Sequence, residues 1–394
     1  MAVAAGRPFL AIPGPTTVPD EVLRAMHRPA VDIYTGELVG ITERCQADLK
    51  RVFGTDGRMY IYAANGHGAW EAALSNTLSR GDTVLVLESG RFARGWGEMA
   101  ALMGLKVETL EQTWEQAVDP VAVRARLAED SAGAIKAVLV VQIDTASGVE
   151  NDIAAIGRAV RDSGSPALFM VDTIASMGCV PFDMDAWGVD ITVTGSQKGL
   201  MTPPGLSFVA AGPRAIEAHA QADCRTFYWD WTFREGEEHY QKYCGTPPEH
   251  LLFGLSKALE LLFEEGLDAV HARHRLLAGA TKAAVERWAQ GEVLAFNVAD
   301  PAQRSGSVTV VRMPEAEAAA LRAFCETTCG VTIGGGIGAL SKRAIRIAHM
   351  GHVNAPMMLG TLGAIELGLR TLKIPHGAGG VDAAIGHLAQ HLAG

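Results

Sequence analysis

The sequence predicts an α/β protein in which a parallel sheet lies between layers of helices, followed by a smaller α+β unit. Two observations carry this. From residue 59 to about residue 212, short runs that are apolar at every position alternate with helical patterns. Continuous rather than alternating hydrophobicity means that both faces of each strand are covered. Beyond Pro247 the alternation stops, and a helical stretch over 251–288 is followed by shorter strands and helices in mixed order. At 394 residues the chain is too long for one ordinary core. An N-terminal arm over 1–19, a large domain over 20–265 and a small C-terminal domain over 266–394 are expected, with the boundary near Gly266.

Taken in order, the run at 59–62 leads into a helix from about His67, and the run at 83–87 into one from about Phe92. The most apolar run, 137–141, leads into a helix from about Asn151. The run at 167–171 ends on Asp172, and the run at 191–193 precedes Thr194-Gly195-Ser196-Gln197-Lys198-Gly199. A rigid turn through Pro203-Pro204-Gly205 opens the run at 206–210. After the helical stretch come a strand at 307–313, a helix at 315–329, a strand at 344–349, and helices at 356–372 and 381–392. In the 344–348 run, alternation puts Ile345 and Ile347 toward a core and Arg346 on the other face between two alanines.

Hydrophobic residues make up 48% of the chain, charged ones 20%, and the formal net charge is -10, which describes a soluble globular protein. That balance, with no Lys/Arg block, argues against nucleic acid as a partner. Residues 1–10 lack the basic and apolar regions of a signal peptide, and no run approaches the ~18 apolar residues of a membrane span. A cytoplasmic location is expected. Six cysteines are dispersed without a secreted framework, and no histidine completes a metal site around Cys325 and Cys329.

Open α/β sheets bind ligands beyond the carboxyl ends of their strands, and the polar residues gather there. Asn65-Gly66-His67-Gly68 follows one strand and begins a helix, which suits either a phosphate cradle or an ordinary turn. Phe92 follows another, placed either to lie against a planar heterocycle or to pack on a helix face. Asp144-Thr145 can bond a cofactor or cap the helix near Asn151. Asp172 ends an apolar strand, where a carboxylate needs a cation or donors unless it is an N-cap. Lys198 lies between apolar segments, an unusual setting for a surface lysine. Arg346 is placed to fork a carboxylate, if it is not merely a surface arginine. A lysine amine can condense with an aldehyde, while a buried aspartate keeps a pyridine nitrogen protonated, so Lys198 with Asp172 suits pyridoxal 5'-phosphate chemistry.

Gly195-Ser196-Gln197-Lys198-Gly199 with Pro203-Pro204-Gly205, the Val171-Asp172-Thr173-Ile174-Ala175-Ser176 run, Gly66-His67 and Arg346-Ile347-Ala348-His349-Met350-Gly351 together resemble the class V aminotransferases of fold type I. The nearest likeness is to their alanine-glyoxylate and serine-glyoxylate group, from Pro13 to about Leu369. The resemblance implies a mostly parallel seven-stranded sheet, pyridoxal phosphate as cofactor, Lys198 as the Schiff-base and proton-transfer residue, and Asp172 at the pyridinium nitrogen. It implies Phe92 against the ring, Thr145 at the ring substituents, and Asn65, Gly66, His67 and Gln197 at the phosphate. Tyr243 and Thr246 would reach that phosphate from a second subunit, which makes a homodimer part of the mechanism. Arg346 would hold the substrate carboxylate, with Tyr34 and Thr35 nearby. The implied reaction moves an amino group from a small amino acid, alanine or serine, to a 2-oxo acid, glyoxylate, in two half-reactions. Ile33-Tyr34-Thr35-Gly36 departs from the His-Arg-Ser-Pro that many glyoxylate-type relatives carry. A pyridoxamine-pyruvate type of transaminase is the alternative, but it uses an arginine where this chain has Ile337 and an acidic residue where it has Asn65. Desulfurase or hydrolase chemistry on the same cofactor and a non-catalytic cofactor-binding protein are further alternatives.

Overall fold

The computed structural model describes residues 3–392, so residues 1–2 of the expected arm and 393–394 of the expected C-terminal domain lie outside it. Seven strands form the main sheet in the order Arg58–Tyr62, Ser207–Ala211, Ile191–Gly195, Leu168–Asp172, Ile135–Val141, Thr83–Leu87, Lys106–Leu110. Ser207–Ala211 runs antiparallel to both its neighbours, and every other pairing is parallel. The pleat explains the continuous apolar runs. Leu85, Leu87, Val138, Val140, Phe169 and Val171 enter a core shared with helices Glu37–Phe53, Ile153–Asp162 and Glu249–Glu265. Their alternates Val84, Val86, Leu139, Val141 and Met170 enter another, shared with helices Gly66–Thr77 and Arg91–Leu102.

A second sheet has the order Phe9–Ala11, Val331–Gly335, Ala344–Ala348, Val308–Arg312, Ala295–Phe296. Phe9–Ala11 joins it as a parallel edge strand, so the start of the chain is tied to its C-terminal part rather than lying as a separate arm. The helical stretch expected over 251–288 is two helices, Glu249–Glu265 and Leu267–Trp288, separated by Gly266 at φ 87. The helix expected from about Asn151 starts at Ile153 with Asp152 as its cap. Strands Lys106–Leu110 and Val331–Gly335 have no counterpart among the sequence expectations.

Candidate active site

A cavity of about 370 Å³ opens beyond the carboxyl ends of the parallel strands. It brings together Asn65, Gly66, His67, Phe92, Thr145, Asp172, Gln197, Lys198 and Arg346, residues drawn from four segments following strands, the end of strand Leu168–Asp172 and one strand of the second sheet. Pro13, Gly14, Trp70, Ile143, Ile174, Ala175 and Ile337 complete much of the remaining wall.

Lys198 is buried, 8% exposed, and its ammonium donates to the carbonyl of Pro13. Burial first, and Arg346 second, bring its pKa down to about 8, while Asp172 and Asp144 act against this. Its backbone is held by Thr16, whose hydroxyl donates to the Lys198 carbonyl at 2.9 Å. Gly14 has φ +89, and a Cβ there would lie 3.0 Å from Lys198 Cγ and 3.2 Å from Nζ. The glycine thus gives both the left-handed backbone and the room the lysine side chain occupies.

Asp172 is 2% exposed, and each of its oxygens has a donor. The Ile174 N–H donates to Oδ1 at 2.6 Å and the Trp70 indole N–H to Oδ2 at 2.7 Å. Burial nevertheless pushes its pKa up to about 7, with Asp144 contributing and Lys198 opposing. The bond to Ile174 is a local turn contact with no helix starting at Asp172, so the residue is not a helix cap, and the carboxylate faces the cavity.

Asp144 does not cap the helix after it. Its Oδ2 accepts from the N–H groups of Phe92 and Ala93 at 2.8 and 3.2 Å, serving the first turn of helix Arg91–Leu102, while Oδ1 accepts from Ala146 at 2.9 Å. Gly90 heads that helix because a Cβ there would sit 2.2 Å from Asp144 Cγ. Burial raises the Asp144 pKa despite these donors.

Arg346 occupies the middle of strand Ala344–Ala348, with Ile345 and Ile347 in the core on the opposite face, as the alternation requires. Its Nε donates to the Gly335 carbonyl at 2.6 Å and Nη1 to the Thr145 carbonyl at 3.1 Å. Nη2 has no partner among the described residues, which leaves one N–H on Nη1 and both on Nη2 for an anion. Burial, with Arg322 adding to it, lowers its pKa to about 10, so it stays charged at neutral pH.

Asn65 caps helix Gly66–Thr77, its side chain accepting from the N–H groups of His67 and Gly68. Gly66 is packed under Ile174, whose Cδ1 would lie 2.3 Å from a Cβ at that position. Gln197 Oε1 is buried with no hydrogen-bond partner among the described residues. The Trp70 indole stacks on Trp96 at 5.8 Å and meets His67 edge-on at 4.7 Å.

Four expected residues lie elsewhere in the subunit. Tyr243 is buried with its hydroxyl 2.8 Å from Thr42 Oγ1. Thr246 is exposed. Tyr34, 61% exposed, packs edge-on against Tyr240, and Thr35 donates to Asp32 at 2.9 Å. Sequence reasoning missed Trp70 as part of the site, and it offered Asp144 as a cofactor contact or a cap for the following helix, whereas its carboxylate lies behind the wall on the first turn of helix Arg91–Leu102. An aromatic three residues after His67 was the available signal for Trp70, since i and i+3 share a helix face.

A family model described as "Aminotransferase class-V" matches residues 9–352. The chain is 37% identical over 395 residues to a serine-glyoxylate aminotransferase of Methylorubrum extorquens, covering 98% of this chain and 97% of the relative. It is 35% identical over 384 residues to an L-aspartate-glyoxylate aminotransferase of Paracoccus denitrificans, covering 96% of each. The solved pyridoxamine-pyruvate aminotransferase of Mesorhizobium loti superposes with a TM-score of 0.91 at 27% identity, covering 99% of this chain and 100% of that one.

Proposed function

Because the chain belongs to the class V aminotransferase family, we propose that it is a pyridoxal-phosphate transaminase moving the amine of alanine or serine to glyoxylate. The observation that carries this is the convergence of Lys198, Asp172 and Arg346 on one cavity at the strand ends. The walls fit the cofactor. A buried amide atom of Gln197 lacks a partner, a helix begins at Gly66, and Asp172, Lys198 and Arg346 line one space with the Asp144 carboxylate buried behind its wall.

Asn65, Gly66, His67 and Gln197 would hold the phosphate, where the N-terminal end of helix Gly66–Thr77 favours an anion. Phe92 would lie against the ring, Thr145 would bond its substituents, and Asp172 would keep its nitrogen positively charged. Bound there, pyridoxal phosphate supplies an electron sink for the bond that breaks at the substrate α-carbon. Arg346 orients the substrate by its carboxylate. Lys198 Nζ takes the α-proton and returns it, and a pKa brought down to about 8 leaves a useful fraction of the amine neutral near physiological pH. Over two half-reactions the donor would depart as its 2-oxo acid and glyoxylate as glycine, with Lys198 moving the proton in each.

The active unit in this reading is a homodimer. Tyr34, Phe227 and Tyr228 are exposed aromatics that a second copy would cover, and Thr246 is exposed and outside its own cavity. The break at Gly266 supports a large cofactor domain and a smaller C-terminal one. Among the described residues no helix is long and apolar enough to cross a membrane.

Pyridoxamine-pyruvate exchange is the second reading, favoured by the backbone match. The apolar Ile337 and neutral Asn65 in the wall speak for the glyoxylate type instead. Desulfuration lacks support, since Cys325 is buried within helix Glu315–Cys329 and burial pushes its thiol up to about 12. The experiment is a donor-by-acceptor panel with purified protein. Glycine formed from glyoxylate with alanine or serine, with ping-pong kinetics, is the expected result; no glycine from any donor sinks the reading.

A further inference from the structure

The Asp172 carboxylate is held from two directions by groups that come from different elements. The Ile174 N–H belongs to the turn just past the strand. The Trp70 indole belongs to helix Gly66–Thr77, and its Nε1 lies 2.7 Å from Oδ2 across 102 positions of sequence. Trp70 has no freedom to leave. It is 1% exposed, stacked at 14° on Trp96, and met edge-on by His67 at 4.7 Å and by Phe92 at 6.4 Å. Two donors on two oxygens fix both the plane of the carboxylate and its rotation, and a donor rigidly packed on one side favours the charged form. Trp70 also lines the cavity beside Asp172, so the indole belongs to the wall rather than to a remote core.

We propose that Trp70 is a positioning residue for the cofactor, acting through Asp172: its indole N–H fixes Oδ2 so that the carboxylate meets a heterocyclic ring nitrogen in one orientation. This rests on the reading that the cavity holds pyridoxal phosphate. The indole itself need not touch the ring nitrogen. Its effect therefore depends on that nitrogen being present, whereas a purely packing role does not.

The test uses that difference. Wild-type and Trp70→Phe apo-proteins are titrated with pyridoxal phosphate and with its carbocyclic analogue, which carries the same aldehyde and phosphate on a benzene ring without the nitrogen. Binding is followed by protein fluorescence. Losing a hydrogen bond to a charged group predicts at least about tenfold weaker binding of pyridoxal phosphate by W70F, with the analogue changed less than about twofold. Equal weakening of both ligands, or of neither, overturns the positioning role while leaving the cofactor reading intact. A wild-type protein that binds neither ligand overturns both. If melting curves show that W70F does not fold, wild-type protein with ¹⁵N-labelled tryptophan gives the same discrimination. The Trp70 indole resonance should move further with pyridoxal phosphate than with the analogue, and identical shifts overturn the proposal.

Discussion

Replacing Arg346 by alanine removes a guanidinium from the cavity wall, and its cost can be worked from the contacts. Nε and one Nη1 hydrogen are spent on the Gly335 and Thr145 carbonyls, which hold the fork in place, and three N–H groups remain. With the pKa still at about 10 the group is charged under assay conditions. A forked bond to a carboxylate in this half-buried place is worth about 3 kcal/mol, or roughly 150-fold in apparent affinity. Arg346→Ala also leaves two carbonyls without their donor, a cost that falls on every substrate alike. The assay is therefore a comparison: apparent Kd for alanine and for ethylamine, the same amine class without a carboxylate, from stopped-flow traces of the amine half-reaction. Alanine should weaken by roughly 150-fold and ethylamine by less than about threefold, the difference being the coupling between Arg346 and the carboxylate. If both amines weaken equally, Arg346 is structural and another group holds the carboxylate.

Further outcomes follow from the same geometry. Lys198→Ala should lower kcat/KM by at least about 10³-fold, since the proton acceptor is lost; unchanged turnover of alanine with glyoxylate in steady-state assays would remove Lys198 from the chemistry. The rate at which apo-protein takes up pyridoxal phosphate should rise with pH through about 8, because only the neutral Lys198 amine is nucleophilic. In Arg346→Ala that midpoint should move to higher pH, as a positive neighbour that depresses the lysine is gone; a midpoint that stays or falls contradicts the assignment. Gly90→Ala should cost about 1–3 kcal/mol in denaturant unfolding, because its Cβ would overlap the Asp144 carboxylate. An unaltered midpoint there would mean that Asp144 moves freely.

What the sequence made legible is what neighbours along the chain decide. Strand Thr83–Leu87 could be read to the residue because Val84, Leu85, Val86 and Leu87 are each buried in one core or the other. Helix Glu315–Cys329 was equally plain, with Pro314 before it and Gly330 in the left-handed conformation after it. Strand Lys106–Leu110 was not, because it is the edge of the sheet and exposes Lys106, Val107 and Thr109, so no buried face marks it. The same division runs through the site. Asp172 and Arg346 sit at strand positions where a polar residue interrupts an apolar pattern, and Lys198 lies in the turn just past strand Ile191–Gly195. The bonds that orient them span the chain: 102 positions from Trp70 to Asp172, 52 from Asp144 to Phe92, 201 from Arg346 to Thr145. No local pattern encodes such pairs.

The three charged groups lining the cavity, with Asp144 buried behind its wall, show why these long-range bonds matter. Burial is the first cause of every shift: Asp172 and Asp144 are raised, Lys198 and Arg346 are lowered. Two carboxylates and two cations lie close together, yet each group is less stable in its ionised form than it would be in water. Fixed donors and acceptors therefore favour the ionised forms beyond what pairing alone supplies. Asp144 depends on three backbone N–H groups, Asp172 on Ile174 and Trp70, Arg346 on two carbonyls, and Lys198 on Pro13. A ligand bearing a protonatable ring nitrogen and an anionic group would meet Asp172 and Arg346 where compensation is incomplete. Its binding should lower the pKa of Asp172, which today rests near 7, while an uncharged planar ligand of equal size should leave it there. Carbon-13 NMR of labelled aspartate in the two complexes separates these outcomes, and an Asp172 resonance that titrates identically in both would show that the carboxylate plays no part in recognising the ring.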